Sequence, residues 1–246
     1  MGFKNIFRRQ DRANIENIQS DFVSLSSHQL RTPLSAIKWY AELLQGQKAG
    51  KLTDKQLLYL REITRSNERA ISLVNDLLDV SRIQEGQIHL EFRPTKVESV
   101  VEEILDNQSD LIKANHTNVN FEIKNSPLPQ IQTDRDKLKR ILSNIVSNAL
   151  RYTPPGGNVH IVIERTDDRL IMTVGDSGVG IPVADQRKVF GKFFRSANVI
   201  KLAPDGTGLG LFITKSLVDA MGGKLSFRSK EGEGTTFYLT LPLKNN

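Results

Sequence analysis

Leu170-Ile171-Met172-Thr173-Val174-Gly175-Asp176-Ser177-Gly178-Val179-Gly180 opens as an alternating apolar strand and ends in a carboxylate set between glycines. The break from strand periodicity to Asp-x-Gly-x-Gly predicts a loop in which backbone can approach a ligand closely. Two more blocks stand in fixed order around it. Upstream, Asn144-Ile145-Val146-Ser147-Asn148 lies in a helical pattern, so Asn144 and Asn148 share a face. Downstream, Gly206-Thr207-Gly208-Leu209-Gly210 precedes a helix whose free N–H groups can bind phosphate oxygens. Short strands are predicted at 88–92, 118–123, 158–164, 170–174, 224–228 and 235–241, with helices at 97–114, 134–152 and 209–221. Strands and helices in this mixed order predict an α+β sandwich, helices layered on one sheet. The stretch 181–206, with weak periodicity and Pro182 and Pro204, reads as a long lid.

Ahead of this lies a different pattern. Ile15, Ile18, Phe22, Leu25, Gln29, Thr32, Ala36, Trp39 and Leu43 advance by alternating threes and fours, a helical seam of heptad type. Gly46 and Gly50 break it, Thr53 and Asp54 cap a second helix, and the seam resumes through Leu57, Leu60, Ile63, Asn67, Ala70, Val74 and Leu77 to stop near Gly86. Two long helices on a short connection form an antiparallel hairpin with one apolar face left uncovered. Pairing two copies into a four-helix bundle covers that face, so a homodimer is expected. The organisation expected is a basic arm over 1–13, a helical hairpin over 14–87 and a nucleotide-binding sandwich over 88–246.

Composition excludes several classes. The 246 residues hold no cysteine, hence no disulfide or thiolate metal site, and the four histidines show no metal-ligand spacing. No apolar run reaches the about 20 residues that span a bilayer. The net charge of +6 divides evenly, +3 in residues 1–90 and +3 in residues 91–246, so no general nucleic-acid surface is expected. The arm Met1–Gln10, with Phe3, Ile6 and Phe7 among its cations, reads as a solvated linker, or as weak contact with an anionic membrane surface. No G-x-x-x-x-G-K-[ST] is present, and Gly206–Gly210 follows the lid instead of a first strand, which excludes Walker and Rossmann sites.

One histidine stands apart from His89, His116 and His160, which read as packed or solvated bystanders. Ser27-His28-Gln29-Leu30-Arg31-Thr32-Pro33 places His28 ahead of a proline that cannot donate to the carbonyl of Gln29. The helix is expected to bend there and open room beside the imidazole, with Thr32 four residues on and on the same face.

From about Asp21 to Leu243 the chain resembles the bacterial sensor histidine kinases. Ser27–Leu34 is similar to their H box, Asn144–Thr153 to the N box and Asp176–Gly180 to the first G box. Phe190-Gly191-Lys192-Phe193-Phe194-Arg195 is similar to the F box, and Gly206–Leu211 to the second G box. The resemblance implies a dimerisation and phosphotransfer bundle followed by a Bergerat-type ATP-binding domain, cytoplasmic, driven by an upstream sensor domain. It implies His28 as phosphoacceptor, ATP and Mg²⁺ as cofactors, Asn148 as the metal ligand and Asp176 as the adenine contact. Asn144, Arg151, Tyr152, Gly178, Gly180 and Gly206 to Gly210, with Thr207 and Leu209, would line the nucleotide. Lys192 falls where a cation stands near the γ-phosphate, Thr32 would orient a water that hydrolyses a phosphorylated partner, and an aspartate of a response-regulator receiver domain would take the phosphoryl group. The departure is Gln29, where the family usually has an acid. Gln accepts a hydrogen bond and fixes the imidazole tautomer but takes no proton, so a slow autokinase is expected. The alternative is an ATP-binding chain acting mainly as regulator phosphatase or docking module. ATP hydrolases of the gyrase and heat-shock type share the site but carry a glutamate base at the place of Asn144, which disfavours hydrolysis here.

Overall fold

The computed structural model describes residues 26–27, 29–46, 50–203 and 206–243. It divides into two compact units at Gln87/Ile88. The basic arm, the seam residues Ile15, Ile18, Phe22 and Leu25, and His28 itself lie outside the described residues.

In the first unit, α1 (29–45) continues through Pro33 and α2 runs over Asp54–Gln84. Thr53 caps α2 with a full capping box: its hydroxyl accepts from the Gln56 N–H, and the Gln56 side chain accepts from the Thr53 N–H at 2.8 Å. Gly86, at φ +68, takes the chain out of the helix. Leu60, Asn67 and Val74, seven apart, are buried, while Trp39 of the α1 seam is 55% exposed and Tyr40 beside it 60%. Leu58, Tyr59, Ile63 and Leu73 are exposed on α2. A single hairpin thus covers one stripe of α2 and leaves a second apolar surface in water.

The second unit contains β1 (Arg93–Thr95), α3 (Val97–Asn107), α4 (Ser109–Ala114), β2 (Asn118–Lys124), β3 (Ile131–Thr133) and α5 (Arg135–Tyr152). It continues with β4 (Asn158–Arg165), β5 (Arg169–Asp176), α6 (Val183–Gln186), α7 (Ala197–Leu202), α8 (Gly210–Ala220), β6 (Lys224–Lys230) and β7 (Gly234–Pro242). Five strands form one sheet in the order β2-β4-β5-β7-β6, with β2–β4 parallel and the rest antiparallel. Strict alternation turns one face inward: Ile161, Val174 and Phe237 stand in register, as do Ile163, Met172 and Leu239, and all six are buried. Against it lies α5, packed on α3, α8 and β5, with Leu138, Ile141, Leu142, Ile145, Val146 and Leu150 essentially inaccessible. This is the α+β sandwich the pattern predicts.

Three elements differ from the sequence expectation. Residues 88–92 are not a strand; the Glu91 N–H donates to the Asp134 carboxylate at 3.0 Å, and pairing starts at β1, with β3. The helix expected over 97–114 is broken at Gln108, whose φ of −101 and ψ of 3 end the ladder between α3 and α4. The lid is not structureless, for it carries α6 and α7.

Candidate functional site

Helix α5 brings Asn144 and Asn148 to the same side of the second unit, and the sequence does so by their spacing of one turn. Their surroundings differ. The Asn144 amide donates to Thr214 Oγ1 of α8 at 2.9 Å, and a Cβ at Gly210 would overlap its oxygen. Asn144 is therefore wedged between the first two turns of α8, and Gly210 is the residue that lets it in. Asn148 is half-buried, and its side chain makes no hydrogen bond among the described residues. Arg151 is exposed on the last turn and Tyr152 is half-buried.

The carboxylate loop is stitched to the end of α5. Val179 N–H donates to the Tyr152 carbonyl at 3.2 Å, and a Cβ at Gly178 would stand 2.5 Å from the same oxygen. Gly180, at φ +63, leaves no room for a side chain against the Lys230 carbonyl. In this structure both glycines face protein backbone, so their first requirement is close internal packing and not approach to a ring. Asp176 Oδ1 accepts from Gly178 N–H at 2.8 Å and from Thr235 N–H at 3.2 Å, which leaves Oδ2 for an outside donor.

Burial pushes the Asp176 carboxyl up to about 6, with the two backbone hydrogen bonds pulling the other way. A carboxyl raised above its ordinary 3.8 favours the folded state most below pH 4, and that contribution is lost as pH rises through about 6. We therefore expect Asp176→Asn, neutral and of the same shape, to melt higher at pH 7 and to flatten the fall in melting temperature between about pH 4 and pH 6. Equal pH slopes in the parent and the variant, read by calorimetry, would show that Asp176 does not carry it.

The lid is pinned where it leaves this loop and on β6. Asn198 donates to the Gly180 carbonyl at 3.1 Å, and Gln186 donates to the Ile181 and Ser229 carbonyls at 3.1 and 3.0 Å. Ser196 and Asp185 are hydrogen-bonded within it. Lys192 is exposed, with its ammonium 5.1 Å from the centroid of the Phe212 ring on the first turn of α8. Phe193, a non-glycine at φ +59, backs onto Gly208 at φ +71, and a Cβ there would come within 2.6 Å of the Phe193 carbonyl carbon. Gly206 lies against the Arg195 guanidinium, 3.1 Å from where its Cβ would be. Thr207 Oγ1 accepts from the N–H of Leu209, itself fully buried. Leu209 caps α8 without a side-chain hydrogen bond, so the first N–H groups of an eleven-residue helix are available to an anion. Carboxylate, amide, lid cation and helix N-terminus thus belong to one unit. On the other unit Gln29 and Thr32 are exposed on α1.

Two family models match this arrangement. Residues 133–245 match the histidine kinase-, DNA gyrase B-, and HSP90-like ATPase, and residues 18–86 match the His Kinase A (phospho-acceptor) domain. The chain belongs to the histidine kinases. Among its relatives, the circadian input-output histidine kinase CikA of Synechococcus elongatus is 33% identical over 91% of this chain and 30% of its own length. The sensor histidine kinase WalK of Bacillus subtilis is 35% identical over 97% of this chain and 39% of its own. Of solved structures, full-length ShkA in complex with AMPPNP superposes with a TM-score of 0.75 at 29% identity, covering 92% of this chain and 46% of that one. The histidine kinase core thus spans between a quarter and two fifths of the curated relatives it matches. Among the described residues no helix is long and apolar enough to cross a membrane.

Sequence reasoning missed the partners that fix the candidate site residues: Thr235 and Gly234 beneath Asp176, Thr214 beside Asn144, and Ser229, which accepts from Gln186 of the lid. Glu231-Gly232-Glu233-Gly234 before a strand was the one local signal, a glycine pair leading into β7.

Proposed function

We propose that this chain is the cytoplasmic catalytic core of a homodimeric sensor histidine kinase, which transfers the γ-phosphoryl group of ATP to His28 and relays it to an aspartate on a response-regulator receiver domain. The hairpin 14–87 is its dimerisation and phosphotransfer part, and 88–246 its nucleotide part with the lid at 181–206. The observation that carries the reading is Asn144. An ATP hydrolase of this fold needs a carboxylate there to activate water; here an amide, turned to Thr214, makes transfer to a histidine the outcome that the chemistry favours. The uncovered apolar surface around Trp39, Tyr40 and Ile63 supports the dimer.

Each residue then has a task. Asp176 Oδ2 accepts from the adenine amino group while Oδ1 keeps its two backbone donors. Gly178 and Gly180 hold that loop in shape, and Gly206, Thr207, Gly208, Leu209 and Gly210 lead into the α8 N-terminus that receives phosphate oxygens. Lys192 exchanges the Phe212 ring for the γ-phosphate, and Arg151 and Tyr152 stand beside ribose or phosphate. The unpartnered amide oxygen of Asn148 fits a single protein ligand to Mg²⁺, and among the described residues no cluster of carboxylates or histidines competes for a metal. When bound there, Mg²⁺ would supply positive charge against the phosphates of the nucleotide. Gln29 fixes the tautomer of His28, and Thr32 orients water for dephosphorylation of the regulator. Since a hydrogen bond to a charged acceptor contributes about 1.5–3 kcal/mol, Asp176→Asn should weaken ATP about 10- to 100-fold while raising stability.

Incubation with Mg²⁺ and γ-phosphate-labelled ATP tests the reading. The parent should acquire acid-labile, alkali-stable label, and His28→Ala should acquire none while binding ATP as tightly. A parent that binds ATP and stays unlabelled would reject autophosphorylation in favour of the phosphatase or docking role.

A further inference from the structure

The buried heptad stripe of α2, Leu60, Asn67, Val74 and Ser81, contains two polar members; Ser81 donates to Glu85 Oε1 one turn on, at 2.8 Å, and Asn67 reaches the other helix. Asn67 is only 4% exposed. Its amide nitrogen donates across the hairpin to the backbone carbonyl of Leu34 on α1, at 2.9 Å. Its oxygen is buried and has no partner. An apolar residue would pack at this position without stranding an acceptor, because the Leu34 carbonyl also has the donor its own helix supplies four residues on. A buried polar residue in a heptad seam is known to fix register at a cost in stability.

Two other polar ties between described residues of the helices cannot do this. Arg31 donates to Asn75 Oδ1 at 3.0 Å and Gln45 to Thr64 Oγ1 at 3.2 Å, and both bonds are exposed, where water competes for every group. Asn67 alone among the three is shielded, and it grips backbone, so it senses the axial position of α1 and not the identity of a side chain. Leu34 follows Thr32 by two residues and His28 by six in the sequence, just beyond Pro33, which removes one rung of the helix ladder. The grip therefore falls where α1 is least able to hold its own shape.

We infer that Asn67 is a positioning residue: through the Leu34 carbonyl it locks the register of α1 against α2, and so sets the height at which the His28–Thr32 segment meets phosphoryl donor and regulator. The lock rests on the structure alone, and its consequence for phosphorylation rests on the function proposed above. A misplacement of about 1 Å at a reacting group can cost about 10²-fold in rate, so a lock against small axial slips matters more than its single hydrogen bond suggests.

Asn67→Leu separates register from stability. The chain has no cysteine, so Ser35→Cys on α1 and Glu68→Cys on α2, both exposed, take one spin label each, diluted with unlabelled chain so that a dimer carries one pair. Without Asn67 the inter-label distance distribution should broaden or split. The melting temperature should hold or rise by about 2–4 °C, ATP affinity should not change, and His28 labelling should slow by about tenfold or more. Asn67→Gln, which keeps an amide donor, should fall between parent and Asn67→Leu in both distance and rate. An unchanged distance distribution in Asn67→Leu overturns the lock, and so does a rate loss that merely tracks a fall in melting temperature. Broadening in a chain whose parent is never labelled upholds the lock and rejects the kinase reading instead.

Discussion

Gln29→Glu is expected to raise the initial rate of His28 labelling from Mg²⁺·ATP by about 10²-fold. When a ring nitrogen of His28 takes the phosphoryl group, the imidazole becomes cationic unless its second nitrogen sheds a proton. An amide at position 29 accepts a hydrogen bond from that N–H and keeps the tautomer, but it neither takes the proton nor offsets the charge. A glutamate, ionised at pH 7, does both. General-base assistance contributes about 10²–10⁴-fold. The lower end applies for two reasons. Phosphoryl transfer depends mainly on positioning and charge stabilisation, which the nucleotide unit supplies without Gln29. Residue 29 is also exposed, so water and salt screen the new charge. The measurement is the single-turnover rate at saturating nucleotide, with Gln29→Ala alongside to separate tautomer control from proton removal. An unchanged rate in Gln29→Glu would mean that proton removal does not limit the step. A rise confined to Gln29→Glu, with Gln29→Ala below the parent, would assign both roles.

What the sequence made legible follows from the range over which each signal acts. Helix α5 and strands β4, β5 and β7 declare themselves because seven or more residues repeat one period, and their buried positions fall on the alternation the pattern requires. Strands β1 and β3, three residues each, carry too little alternation to register, and they exist because they pair with each other across 40 residues of sequence at Arg93–Thr133, beyond any local window. Helices α6 and α7, of four and six residues, are likewise below the length at which periodicity speaks. The site divides in the same way. Asp176, Asn148 and the glycines stand in short motifs and can be read directly. Thr235 and Thr214 cannot, because each acts on a partner 59 or 70 residues away. Asn144 illustrates the difference between placing a residue and knowing its neighbours: its spacing from Asn148 puts it on the right face, and only the fold reveals that Thr214 and Gly210 hold it. The seam of α1 is a further case. A heptad pattern specifies that Trp39 will be covered but not by which chain, and within one hairpin it stays open.

Gly234→Ala should destabilise the nucleotide unit by about 3–5 kcal/mol, against about 1 kcal/mol for Gly232→Ala two residues earlier. Both glycines have positive φ, +111 and +78, so alanine is strained at each. They differ in what surrounds them. A Cβ at Gly232 meets nothing within 4 Å, whereas at Gly234 it would overlap the Asp176 carbonyl oxygen and lie 2.9 Å from that carbonyl carbon and 3.1 Å from Ser177 Cα. These neighbours are backbone and cannot swing aside as a side chain would. Relief requires β7 to move off β5 at the Asp176–Thr235 pair, where Thr235 N–H reaches the carboxylate. The same shift that lowers stability therefore removes one of the two donors that hold the Asp176 carboxyl down against burial, so its proton affinity should rise further. ATP affinity and stability should fall together in Gly234→Ala, while Gly232→Ala keeps parental affinity. Calorimetric melting of the full chain, with and without nucleotide, distinguishes them: ligand stabilisation scales with RT ln(1 + [L]/Kd) and should shrink only in Gly234→Ala. Equal losses at both positions would place the whole effect in backbone conformation, and the contact with Asp176 would then have no part in holding the site.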